Sequence, residues 1–217
     1  LPERLTYFAK ALPAIPPAGE RLRFGHVYPA KGKRKARVAL FAGCVMDAVM
    51  FRIHRATVSL LTAVGAEVAV PAGQCCCGAL HLHQGMTDEA RKLARRNIEA
   101  FERCEADWIA GNAGGCGAAI KEYGRLFADD PEWTARARRL AGKLKDISEI
   151  LLELGPLPFV NGPETVVTYQ DSCHLLNVQR VGRAPRTLLE QAPGVRLAEM
   201  EGADRCCGSG GIYNLLH

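Results

Sequence analysis

Apolar positions along this 217-residue chain fall into short runs and helical stripes that alternate from one end to the other. Residues 37–42 (RVALFA) form a nearly unbroken apolar run of strand length, ended by Gly43 and Cys44. Such a run fits a strand covered on both faces. The spacing then predicts a helix over 54–64, with Gly65 as its stop. Residues 67–70 predict a second strand, closed by Pro71, and the triple Cys75-Cys76-Cys77 follows in a glycine-bounded loop. Thr87 caps a further helix, with Asp88 and Glu89 in its first turn. Its apolar face is Ala90, Leu93, Ala94, Ile98 and Phe101. A strand is predicted over 107–110, then a tight loop over 111–116 (GNAGGC) entering a helix at Ala118. Helices follow over 132–144 and 147–154; Asp146 and Glu149 stand at capping-box spacing, and Gly155-Pro156 stop the second.

The plan then recurs. A strand is predicted over 165–169, Cys173 in the loop after it, a helix over 185–191, and a strand over 195–200 leading to Cys206-Cys207. The spacing of the cysteines repeats too. Cys44 and Cys76 enclose 31 residues, and Cys173 and Cys206 enclose 32. Each adjacent pair is followed by glycine, as Cys76-Cys77-Gly78 and Cys206-Cys207-Gly208. Strands alternating with helices predict an α/β fold of two pseudo-repeated units, with short, mostly parallel strands and flanking helices. The cysteines fall in loops after strand ends, where such folds place their sites. We expect residues 1–36, broken by Pro13, Pro16, Pro17 and Pro29, to be a lead-in, 37–160 a first unit, and 161–217 a second unit truncated at its C-terminus.

Composition narrows the chemistry. With 48% hydrophobic residues the chain has enough for a core. No apolar run approaches the roughly 18 residues of a membrane span. The start LPERLTYFAK lacks the apolar stretch of a signal peptide, and it opens on Leu1, so the natural N-terminus is expected upstream. The expected compartment is the reducing cytosol, where nine cysteines point to metal or redox chemistry rather than to a disulfide scaffold. Nine is also odd, and neighbours such as Cys76 and Cys77 are poor partners for one another. The net charge of +5 is mild. Lys31, Lys33, Arg34, Lys35 and Arg37 form a basic run that reads as a solvated linker or as a docking surface for an acidic partner or anionic lipid. Without interleaved aromatics it argues against nucleic acid.

Repeated thiols at fixed spacing call for a shared soft ligand, best an iron–sulfur cluster. Cys44, Cys76, Cys77 and Cys116 make a full set of four for one cluster. Zinc also takes four thiolates, but more often through Cys-x-x-Cys knuckles, which this chain lacks. Cys173, Cys206 and Cys207 make most of a second set, whose fourth member is expected about as far on as Cys116 lies beyond Cys77. His174 is either a substitute ligand or, the better reading, a packing or orienting group. His81 and His83 either orient a cluster or belong to a polar loop surface. Cys104 follows an apolar helical face and is expected to be a packed thiol, whereas Cys75 stands beside ligands and could exchange with one.

These residues resemble a known family, the cysteine-rich CCG-domain proteins, and within it the iron–sulfur subunits of bacterial glycolate oxidase. The resemblance is carried by RVALFAGCV (37–45), PAGQCCCGALHLHQG (71–85), LARRNIEAF (93–101), GNAGGCGAAIKEYG (111–124), DSCHLLNVQRV (171–181) and RCCGSGGIYNLL (205–216). It implies one or two clusters, of the [4Fe-4S] type, on Cys44, Cys76, Cys77, Cys116, Cys173, Cys206 and Cys207. It also implies a flavin-containing partner that oxidises a 2-hydroxy acid, with electrons passing through this chain toward a membrane acceptor. Localisation would then be cytoplasmic, peripheral on the inner face of the cell membrane. The chain itself would do no bond chemistry, and no residue is assigned a catalytic role. Cys75 departs from the small residue usual in the family, and the family's ferredoxin-like module is not seen in this sequence. Two other readings remain open: a disulfide-cleaving cluster like that of heterodisulfide reductase relatives, and a zinc-bound interaction module.

Overall fold

A computed structural model describes residues 17–208. Its main sheet has five strands: β1 (Val27–Tyr28), β2 (Ala36–Leu40), β3 (Ala66–Ala69), β4 (Trp108–Gly111) and β5 (Leu144–Asp146). They lie in the order β1-β3-β2-β4-β5. β2, β3, β4 and β5 run parallel, and β1 pairs antiparallel with β3. The α/β expectation of mostly parallel strands therefore holds. Helices α1 (Val45–Val49), α2 (Phe51–Ala63), α3 (Ala79–His83), α4 (Thr87–Glu102), α5 (Gly114–Lys121), α6 (Tyr123–Leu126), α7 (Pro131–Lys143) and α8 (Ile147–Leu154) complete the first unit.

β2 is central because its residues are apolar in both directions. Val38 and Leu40 point into one core with Leu61, Val64 and Ile150, under α2 and α8. Ala39 and the following Phe41 point into the other, with Ile98, Ile120, Phe127 and Leu140 under α4 to α7. Alternation of Cβ atoms along a strand makes both cores from one run. The chain leaves β2 toward α2 on one face and leaves β4 toward α5 on the other. The neighbouring ends of β2 and β4 thus form a switch point, the usual crevice of an open α/β sheet.

Short elements escape the sequence pattern. A five-residue helix spans too few turns to display a stripe, so α1 and α3 were not expected, and α2 starts at Phe51, earlier than 54. His81 and His83 therefore lie on helix α3 rather than on a loop. β5 is three residues between two helices and exists through its pairing with β4. Thr87 is the first residue of α4, not its cap; Met86 holds that position without a side-chain bond. The capping box of Asp146 and Glu149 is present as expected. Part of the proline-rich lead-in joins the sheet as β1, and Leu22 is buried in the core.

The second unit has β6 (Thr165–Val167), α9 (Cys173–Asn177), α10 (Arg183–Gln191) and β7 (Val195–Leu197). β6 and β7 pair in parallel, Thr165 with Val195, as Ala36 pairs with Ala66 in the first unit. Both pairs join residues 30 apart, so the repeat is one of structure as well as of cysteine spacing. Leu188 of α10 packs on the core of the first unit. Among the described residues no helix is long and apolar enough to cross a membrane.

Candidate metal centre

Cys44 follows β2, Cys76 and Cys77 follow β3, and Cys116 sits in the first turn of α5 after β4. Three neighbouring strand ends therefore deliver four thiols to the switch point. The four thiols are close enough to shift one another's protonation, Cys44 with Cys76, Cys76 with Cys77 and Cys77 with Cys116. They line a cleft of about 530 Å3, and Cys173 and Cys207 of the second unit line it too. The first thiol set and two members of the second, expected as separate sites, therefore face one space. Cys206 is exposed and lies outside that lining. Cys173 is the first residue of α9, and Cys116 the third of α5, so neither is in a loop as expected.

Small residues bring the units together. A side chain at Gly114 would meet Ser172 Oγ at 2.4 Å, and one at Gly117 would meet the Gln179 amide at 2.4–2.7 Å. Gln179 Nε2 donates to Gly114 O at 3.0 Å. α5 can thus lie directly against α9. Asp171, which also lines the cleft, is gripped by both Nη atoms of Arg186 at 2.7 and 2.8 Å, and its backbone N–H bonds Ala203 O at 2.8 Å. That links the Cys173 segment to the turn before Cys206.

Each thiol-bearing loop is braced by a buried polar side chain. Gln74 accepts from Ala42 N at 2.8 Å and donates to Leu40 O and Pro71 O, tying the end of β2 to the loop after β3. His54 donates from Nε2 to Ala42 O at 2.8 Å, and Asn112 Nδ2 reaches its Nδ1 at 3.3 Å and Thr57 Oγ1 at 2.9 Å. This places the proton on Nε2, and burial holds the ring's pKa below the ordinary value. Asn97 accepts from Cys75 N at 2.8 Å and donates to Cys76 O at 3.0 Å. Tyr123 donates to Cys77 O at 2.9 Å and accepts from Asn97 at 3.1 Å. Asn97, Tyr123 and His54 are wholly buried. None was singled out as functional from sequence. Polar residues on otherwise apolar helical faces were the available signal, and Asn97 in the stripe of α4 is the plainest case.

The two Cys-Cys-Gly turns share one geometry. Gly78 N–H points to Cys76 Sγ at 3.4 Å, and Gly208 N–H to Cys206 Sγ at 3.4 Å. Both glycines have positive φ, 82° and 75°. At Gly78 a Cβ would also stand 3.3 Å from Ala90 Cα. We expect Gly78→Ala to cost about 1–2 kcal/mol from the left-handed backbone alone, read as a lower urea midpoint. An unchanged midpoint would mean that the turn relaxes freely. Cys75 is turned elsewhere: its Sγ contacts Leu93 O and Cys76 O, and it does not line the cleft. Cys104 packs against the second core, as expected.

Thiols crowded without a cation hold their protons. The hydrogen bond to Cys116, then burial, pushes Cys77 up to about 12. The bond to Cys77 and burial push Cys76 higher still, and burial raises Cys44. Cys116, receiving the bond from Cys77, is lowered. Groups whose folded pKa is raised lend stability below the ordinary thiol value of 9.0, and it is lost as pH climbs through the folded values toward about 12. Metal-free protein under reducing conditions should therefore unfold at lower urea at pH 10 than at pH 8. Equal midpoints would show that the sulfurs do not interact. A metal reverses this cost by accepting the thiolates, releasing their protons as it binds.

The donor set suits a soft group that takes one thiolate per metal atom. Among the described residues no three His, Cys, Asp or Glu side chains form a ready site for a single ion.

The cysteine-rich domain model of the CCG family matches residues 38–121 and 167–216. The chain belongs to the CCG family. Both matched segments carry a strand–Cys–helix–strand–Cys-Cys-Gly unit, so the family's repeat is the structural repeat. The chain is 45% identical over its whole length to a Bacillus subtilis protein named probable glycolate oxidase iron-sulfur subunit, covering 49% of that protein. It thus spans about half the length of that relative. It is 34% identical to lactate utilization protein A of Geobacillus kaustophilus and 36% identical to that of Oceanobacillus iheyensis, over 82% of this chain and 74% and 73% of theirs.

Proposed function

We propose that this CCG chain is the cluster-holding part of an iron–sulfur subunit of a 2-hydroxy acid oxidase or dehydrogenase complex, with glycolate as the leading substrate of the whole complex. The convergence of Cys44, Cys76, Cys77 and Cys116 at one switch point carries the reading. These four would hold one cluster, and Cys173, Cys206 and Cys207 would contribute to another. The cluster supplies one-electron transfer. This chain's residues supply its setting: Gln74, His54, Asn97 and Tyr123 fix the loops, and Gly78 N–H points at Cys76 sulfur, a contact of the kind that tunes cluster potential. Electrons would come from a flavin-bearing partner and leave toward a membrane acceptor. The name of the 45% identical relative supports the iron–sulfur and glycolate parts of this reading.

The orientation of Cys75 weighs against a disulfide-cleaving centre that would use it as an extra thiol at an open position. Iron, sulfide and zinc content with EPR on anaerobically purified protein tests the proposal. Iron with matching sulfide, and a signal on reduction, is the expected result. Stoichiometric zinc without sulfide would replace it with the interaction-module reading.

A further inference from the structure

A second concave site lies away from the thiols, where the segment from Gly19 to Lys31 crosses α2. Its wall is anchored by backbone. Gly25 N–H bonds Val70 O at 2.7 Å, Val70 N–H bonds His26 O at 2.9 Å, and Lys31 N–H bonds Thr62 O at 2.9 Å. β1 ties the stretch between to β3. Leu22 and Val58, both buried, floor a cavity of about 510 Å3. Four cations line it, Arg21, Arg23, Lys31 and Arg55, together with His26 and Tyr28, whose rings meet edge to face at 4.6 Å.

Among the described residues the charges at the pocket do not balance. Arg21 reaches Asp47 Oδ2 through Nη1 at 3.3 Å, and Glu20 is the single acid in the lining. The side chains of Arg23, Lys31 and Arg55 make no ion pair or hydrogen bond among the described residues. Among those residues two positive charges are left uncompensated. Arg21 Nε is also buried without an acceptor, although a buried donor is normally satisfied. Of the basic run noted in the sequence, Lys31 lines this pocket, whereas Lys35 Nζ bonds Leu154 O at 2.7 Å and Arg34 and Arg37 pair with Glu67.

We propose that this pocket binds a phosphate group. Two net positive charges match a phosphate dianion better than a lone carboxylate, and guanidinium forks suit its oxygens. The group could arrive on a free solute or as a lipid headgroup, and the test separates these. Inorganic phosphate is titrated calorimetrically into the whole chain at low ionic strength, against chloride. Vesicles of phosphatidylglycerol are compared with vesicles of phosphatidylcholine in co-sedimentation. Both are repeated with Arg23→Gln, Arg55→Gln and, as a charge-matched control outside the pocket, Arg52→Gln. Saturable phosphate binding weakened about tenfold by the two pocket substitutions, and not by the control, is the expected result. Phosphatidylglycerol binding with that same pattern would assign the source to a headgroup; its absence beside phosphate binding would assign a solute. Phosphate and phosphatidylglycerol bound no better than their controls, or weakened equally by Arg52→Gln, would overturn the proposal. It stands independently of the iron–sulfur reading.

Discussion

Replacing Cys77 with serine is expected to strip the first site of most of its iron. Cys77 is the buried one of the four, lines the same cleft as the other three, and its protonation is coupled to Cys76 and Cys116. A serine hydroxyl is a hard donor with a far higher pKa than a thiol, and soft metal centres bind it poorly. Iron and sulfide per chain should fall together, with loss of the reduced-state EPR signal. Cys104→Ser, which changes a thiol packed against the core and not in the cleft, should leave both unchanged. Equal iron in wild type and Cys77→Ser would remove Cys77 from the ligand set. Because the braces are backbone bonds that Cys77 keeps through its carbonyl, the variant should retain its fold; its melting temperature distinguishes lost ligation from lost structure.

The second large effect is expected at a residue with no ligand role. Asn97→Leu keeps volume and the apolar stripe of α4, but it leaves Cys75 N–H and Cys76 C=O without their bonds at 2.8 and 3.0 Å. Tyr123 also loses the donor to its hydroxyl, at 3.1 Å. Each stranded buried group costs about 1–3 kcal/mol, so a loss of about 3 kcal/mol is expected. For a chain of this size that lowers the melting temperature by roughly 6–12 °C. Tyr123→Phe, which removes only the bond to Cys77 O and the contact with Asn97, should cost less. A melting temperature unchanged by Asn97→Leu would mean that water replaces the amide. The brace acts on backbone, so its loss should also slow or reduce cluster loading through the freed Cys75–Cys77 turn, measurable as iron per chain after reconstitution.

The α/β class, the parallel pairing and the doubled unit were legible in the chain because each rests on local pattern. An apolar run such as 37–42 must be buried on both faces, and cysteines spaced alike must sit at like places in a repeat. The thiols of the first site were legible for that reason, and so was the capping box at Asp146. Tertiary structure alone decided that Cys173 and Cys207 face the same cleft as the first thiol set, since this depends on Gly114 and Gly117 letting α5 lie against Ser172 and Gln179 of the other unit. It alone turned Cys75 toward Leu93 O, though its neighbour in sequence lines the cleft. It also decided that Gln74, His54, Asn97 and Tyr123 hold the loops, because a buried polar group declares its partner only when the strands that carry both have been brought together. Ligand types follow from composition and spacing, which a chain carries along its length. Ligand positions follow from long-range contacts, which exist only once the sheet has formed.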